Sequence, residues 1–99
     1  MDIKQEISQY WDSMTGSEQA AAEIALDFMR GNFGRTPREC SDGDLAYFAQ
    51  RGCSDVDNGN AEVEYTEEDF YCEEVNIDIV VDYLRLLREY ELQNNIPYL

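Results

Sequence analysis

Ile77, Val80, Val81 and Leu84 fall at the i, i+3, i+4, i+7 spacing, with Leu87 one turn further on. A helix gathers such residues on one face, whereas a strand scatters them to both. Asn76 precedes the run, Asp78 and Asp82 lie early in it, and Arg85 and Arg88 lie late, which is the order a helix dipole prefers. The spacing predicts a helix opening at Asn76 and ending near Asn94-Asn95, with Tyr83 and Tyr90 at the edges of its buried stripe. Ile96 to Leu99 reads as a tail.

The same periodicity recurs at the other end of the chain. Ile3, Ile7, Tyr10, Trp11 and Met14 predict a helix from Asp2 to Met14. Thr15-Gly16-Ser17-Glu18 is a capping-box pattern, in which the Thr side chain accepts from the helix start and the Glu reaches back. It opens a second helix, expected to run to about Arg30 with Ala21, Ile24, Ala25, Phe28 and Met29 inward and Gly31 ending it. Thr36-Pro37-Arg38-Glu39 repeats the pattern with Pro at the first helical position, and Ser41-Asp42-Gly43-Asp44 limits it to one turn. A short helix is predicted from about Asp44 to Arg51, burying Leu45 and Phe48 and closing at Gly52. Asn58-Gly59 favours a two-residue hairpin turn, Glu62 to Thr66 alternates as a short strand does, and Thr66 is a candidate cap for Glu67 to Val75. The expectation is a mainly α fold: one domain, residues 1–99, a small helical bundle of about four helices with room for one short β-hairpin.

The 99 residues carry 22 acids against 7 bases, a formal charge of −15, while 43% are hydrophobic. Trp11, seven Tyr and four Phe set the composition apart from a disordered acidic tail. So large an excess of one sign repels itself in the folded state. Nucleic acid and anionic membrane are poor partners for it; basic protein surfaces are good ones.

Chemistry narrows by elimination. The absence of His removes the commonest general base and the imidazole metal ligands. Cys40, Cys53 and Cys72, spaced by 13 and 19, make no C-x-x-C pair and read as buried thiols. Asp55-Val56-Asp57-Asn58-Gly59-Asn60 fails as a calcium loop in either register, because Gly and the closing Glu do not fall at the sixth and twelfth positions together. No phosphate-binding glycine motif is present. The expectation is a non-enzymatic protein without cofactor or dedicated metal. No apolar run approaches about 18 residues, and the opening residues lack a charged-then-apolar leader. A cytoplasmic location is expected, in the host bacterium if the chain is phage-encoded.

One stretch is exceptional. Glu62 to Tyr83 holds nine carboxylates and no Lys or Arg. Drawn as one helix it spans about 33 Å at about 1.5 Å per residue, or about one charge per 3.7 Å. A single DNA strand carries one per roughly 3.4 Å. The arginines lie elsewhere: Arg30, Arg35, Arg38 and Arg51 in the middle of the chain, Arg85 and Arg88 beyond the acidic run. In size and composition the chain resembles the DNA-mimic inhibitors of phages and mobile elements, anti-CRISPR proteins among them; no residue is carried over from that resemblance. The expected partner is a basic nucleic-acid-binding protein or complex, engaged by a monomer or homodimer. The expected contact residues are Glu62, Glu64, Tyr65, Glu67, Glu68, Asp69, Tyr71, Glu73, Glu74, Asp78 and Asp82. Two other readings share the composition: an immunity protein or antitoxin neutralising a basic nuclease toxin, and a salt-adapted domain whose charge answers only to solvent.

Overall fold

The computed structural model describes residues 2–57 and 76–96. Four α-helices are present among them: α1 (Ile3–Ser13), α2 (Gly16–Phe33), α3 (Asp42–Asp57) and α4 (Ile77–Asn94), with a 3-10 turn, Pro37–Glu39, between α2 and α3. The fold is a mainly α helical bundle, as the periodicity predicts. The Asn58-Gly59 turn, the strand over Glu62 to Thr66 and the segment Glu67 to Val75 lie outside the described residues.

Each helix starts where a side chain satisfies its first free N–H groups. Asp2 accepts from the Lys4 backbone N–H at 3.2 Å, and Asn76 accepts from that of Asp78 at 3.0 Å. The capping box of α2 is formed in full: the Glu18 N–H donates to Thr15 Oγ1 at 3.2 Å, and the Thr15 N–H donates to Glu18 Oε1 at 3.0 Å. Glu18 is itself buried by this role.

Three boundaries differ from expectation. Helix α2 passes through Gly31 and ends at Gly34, whose φ of 60° is the left-handed value that terminates helices cheaply only at glycine. Gly34 donates to the Arg30 carbonyl at 3.0 Å and Arg35 to that of Met29 at 3.2 Å, closing the last turn. Helix α3 begins at Asp42 rather than Asp44, because Ser41 caps it. The Asp44 N–H donates to Ser41 Oγ at 3.2 Å, and the Ser41 N–H donates to Asp44 Oδ2 at 3.1 Å. It then runs past Arg51, placing Cys53 and Val56 in the core with Leu45, Phe48 and Ala49.

Gly52 does not stop α3; it lets α3 lie against α2. A Cβ at this position would overlap the carbonyl oxygen of Ala21 and stand 3.0 Å from its carbon and 3.3 Å from Ala25 N. The facing residues of α2, Ala21, Ala22 and Ala25, are fully buried. Small side chains on both helices thus bring two backbones into near contact. Glycine inside a helix costs up to about 1 kcal/mol relative to alanine, and close packing offsets that cost here.

The core is shared by all four helices: Ile7 and Met14 from the first helix and its end, Leu26 and Met29 from α2, Leu45 and Phe48 from α3, Val80, Leu84 and Leu87 from α4. The inward face of α2 is rotated from the expected one. Ala22 and Leu26 are buried, while Ile24 and Phe28 are half-buried. Tyr83, expected at an edge, is buried, its ring 5.2 Å from that of Trp11 and 6.3 Å from that of Tyr10. We expect Gly52→Ala to lower stability by about 1–3 kcal/mol through overpacking, despite alanine's better helix propensity. Chemical denaturation of the variant would read this as a lower midpoint at unchanged slope.

Candidate partner-binding surface

Of the eleven expected contact residues, Asp78 and Asp82 are described; Glu62, Glu64, Tyr65, Glu67, Glu68, Asp69, Tyr71, Glu73 and Glu74 lie outside the described residues. Asp78 and Asp82 stand four positions apart on α4, both exposed. The buried stripe of Val80, Tyr83, Leu84 and Leu87 turns them outward. Helix α1 lies alongside. The Tyr10 hydroxyl donates to the Ile79 carbonyl at 3.2 Å, fixing one helix against the other.

Between these helices runs an open groove of about 640 Å³, lined by Glu6, Gln9, Tyr10, Ser13, Asp82, Arg85 and Leu86. Tyr10 and Leu86 supply its apolar surface, and Glu6 and Asp82 place a carboxylate on each helix. Burial, then Asp82, then Glu18 push the Tyr10 phenol above its ordinary value, so it stays protonated and keeps its bond to α4. An arginine or lysine stem can lie along Tyr10 and Leu86 while its charged head meets Glu6 or Asp82. Glu6, Tyr10 and Leu86 were not among the expected contact residues. The available signal was Glu6 four positions before Tyr10, which places a carboxylate one helical turn from an aromatic of the stripe.

Five of the bases, Arg35, Arg38, Arg51, Arg85 and Arg88, are engaged locally. Arg35 pairs with Asp44 at 3.6 Å and Arg51 with Asp55 at 3.8 Å. Arg85 bridges Asp82 at 3.5 Å and Asp42 at 3.6 Å, and Arg88 meets Asp42 at 2.7 Å. Arg88 also donates to the Cys40 carbonyl at 3.3 Å, while Arg38 donates through Nη1 to Asn95 Oδ1 at 2.7 Å. These contacts tie the 3-10 turn and the start of α3 to α4. Asp82 shares Arg85 with Asp42, whereas Asp78 and Glu6 meet no base among the described residues.

Glu91 is the second buried acid. Only 2% exposed, it accepts through Oε1 from the Arg38 backbone N–H at 2.8 Å. Its place on the stripe was legible, since Val80, Leu84, Leu87 and Glu91 continue one helical face. A carboxylate there signals a polar group waiting for it. The thiols of Cys40 and Cys53 are free and buried. Burial first, then the charges of Asp57 and Glu18, push Cys53 up to about 11, so it stays a thiol at neutral pH. Cys72 lies outside the described residues.

Compared with known protein families, with curated proteins and with solved structures, the chain matches none. Among the described residues no helix is long and apolar enough to cross a membrane, and no cluster of three or more Cys, Asp or Glu is arranged to hold a metal.

The hydrogen bond from Arg88, the charge of Arg88 and then that of Arg85 hold the Asp42 carboxyl below the ordinary aspartate value of 3.8. A lowered folded-state pKa stabilises the fold above the ordinary value, and that contribution is lost as pH falls through the lowered one. We expect Asp42→Asn to be less stable than the parent at neutral pH. The difference should close as pH drops below about 4. Urea midpoints of the two proteins, measured from neutral pH down to about 2, would check this.

Proposed function

We propose that this protein is a small acidic inhibitor that occupies the basic, nucleic-acid-binding surface of a target protein. One observation carries the reading: nine carboxylates between Glu62 and Tyr83 with no intervening base, in a chain of net charge −15. The arrangement of the arginines supports it. Arg35, Arg51 and Arg88 pair with Asp44, Asp55 and Asp42, which all precede the acidic run. Of the expected contact residues described, Asp82 alone meets a base, and Asp78 does not.

Ordinary surfaces interleave both signs to stay soluble. A single-signed face instead speeds encounter with an oppositely charged partner, and the speed falls with ionic strength. In this reading the acidic run follows the path that phosphates take on the target. The α1–α4 groove, where Asp82 of the run stands with Glu6 and Arg85, adds apolar contact through Tyr10 and Leu86. The last two carboxylates of the run, Asp78 and Asp82, are held on α4, which Asn76 caps.

Such an inhibitor competes with nucleic acid for its target, so the test is competition. Proteins captured on the immobilised chain from cells that produce it should be released by duplex DNA as well as by salt. Their own DNA binding should be inhibited by the free protein. Glu67→Gln, Glu68→Gln, Glu73→Gln and Glu74→Gln combined should weaken that inhibition at least tenfold and flatten its salt dependence, and Glu6→Gln with Asp82→Asn should have a smaller effect in the same direction. Unchanged potency in the fourfold variant, or captured partners that DNA does not displace, would refute the proposal.

A further inference from the structure

We propose that a second copy of this chain docks on the aromatic face formed by Phe28, Phe33, Tyr47 and Phe48, giving a twofold dimer with the acidic surfaces left free. Phe33 and Tyr47 are 49% and 55% exposed, yet neither is loose. Phe33 lies 5.3 Å from Phe48 and 5.6 Å from Phe28, edge to face, and Tyr47 lies 5.4 Å from Phe48. Phe48 is buried in the core and anchors the set. The Arg51 guanidinium sits 4.9 Å from the centre of the Phe28 ring. Aromatic rings with an adjacent arginine, held rigid before binding, are the composition of interface hot spots.

Charge selects the occupant. Within four positions of these rings in the sequence the charged residues are Arg30, Arg35, Arg51, Asp27 and Asp44, and Asp55 pairs with Arg51, making three bases against three acids on a chain of −15. A basic partner is drawn to the acidic surface instead, and a polyanion is repelled by the body of the protein. Another copy meets least repulsion when the two molecules turn these faces to each other. The face is also self-complementary, because it carries both the rings and the guanidinium that rings accept, and closed twofold contacts are the commonest way identical chains pair. Two bodies of −15 still repel at long range. That repulsion fades as the screening length falls from about 10 Å at 0.1 M salt to about 3 Å at 1 M. Self-association therefore strengthens with salt, the opposite of capturing a basic partner, so the two proposals stand or fall separately.

Sedimentation equilibrium of the full chain at about 0.1 M and about 1 M sodium chloride provides the test. The expected result is a mass rising toward twice that of the chain, with a dimer constant at least several-fold tighter in high salt. On dilution of the wild-type protein, NMR signals of Phe28, Phe33, Tyr47 and Arg51 should shift most. Tyr47→Asp and Phe33→Asp should each remain monomeric at high salt with the helical circular dichroism of the parent. Tyr47→Ser replaces either one that does not fold. A monomer under every condition, growth beyond a dimer, dilution shifts centred on α1 and α4, or a dimer that survives the substitutions would overturn the proposal.

Discussion

Everything described here is organised around the close approach of α2 and α3 at Gly52. Two helices meet with almost no side chain between their backbones, Ala21 and Ala25 on one side and Gly52 on the other. That contact fixes how α3 is turned. It sends Leu45, Phe48, Cys53 and Val56 inward and leaves Tyr47 outside beside Phe33. The remaining face of the pair is closed by α4, whose apolar stripe reaches the shared core, and α1 is held to α4 by the Tyr10 hydroxyl and the rings around Tyr83.

Polar anchoring complements this packing. Glu91 reaches from α4 to the backbone of the 3-10 turn, and Arg88 spans from α4 to Cys40 and Asp42. Exposed ion pairs add little stability singly, typically below about 1 kcal/mol, so their importance lies in where they leave charge. Among the described residues Arg35, Arg51 and Arg88 are committed to Asp44, Asp55 and Asp42, and Arg85 alone reaches the acidic run, at Asp82. The buried carboxylates, Glu18 and Glu91, are structural, and the surface charge that remains is overwhelmingly negative.

The helical fold was legible because apolar spacing, capping residues and dipole-ordered charges agreed with one another over the first, second and last helices. The boundary errors share a physical origin. Gly31, Gly34 and Gly52 look alike in a sequence, but only Gly34 takes a left-handed conformation, and Gly52 serves a helix crossing that no local pattern announces. Ser41 was read as an interruption because a cap and a break use the same residues. The groove between α1 and α4 joins Glu6 to Asp82 across most of the chain's length, a juxtaposition that only the tertiary fold supplies. Glu91 is the converse case: it falls in register with the apolar stripe, so its burial has a local signal that the expected stripe did not include.

Two regions of different character share one small chain: the acidic run Glu62 to Tyr83, whose Asp78 and Asp82 stand exposed on α4, and a near-neutral aromatic face on α2 and α3. The central claim is that the first of them takes the place of a polynucleotide. Hydrogen–deuterium exchange of the protein bound to its captured target addresses this directly. The account places the strongest protection on residues 62–82 of this chain and on the DNA-contacting residues of the target. Protection confined to α2 and α3, or to a part of the target remote from its nucleic-acid path, would contradict it.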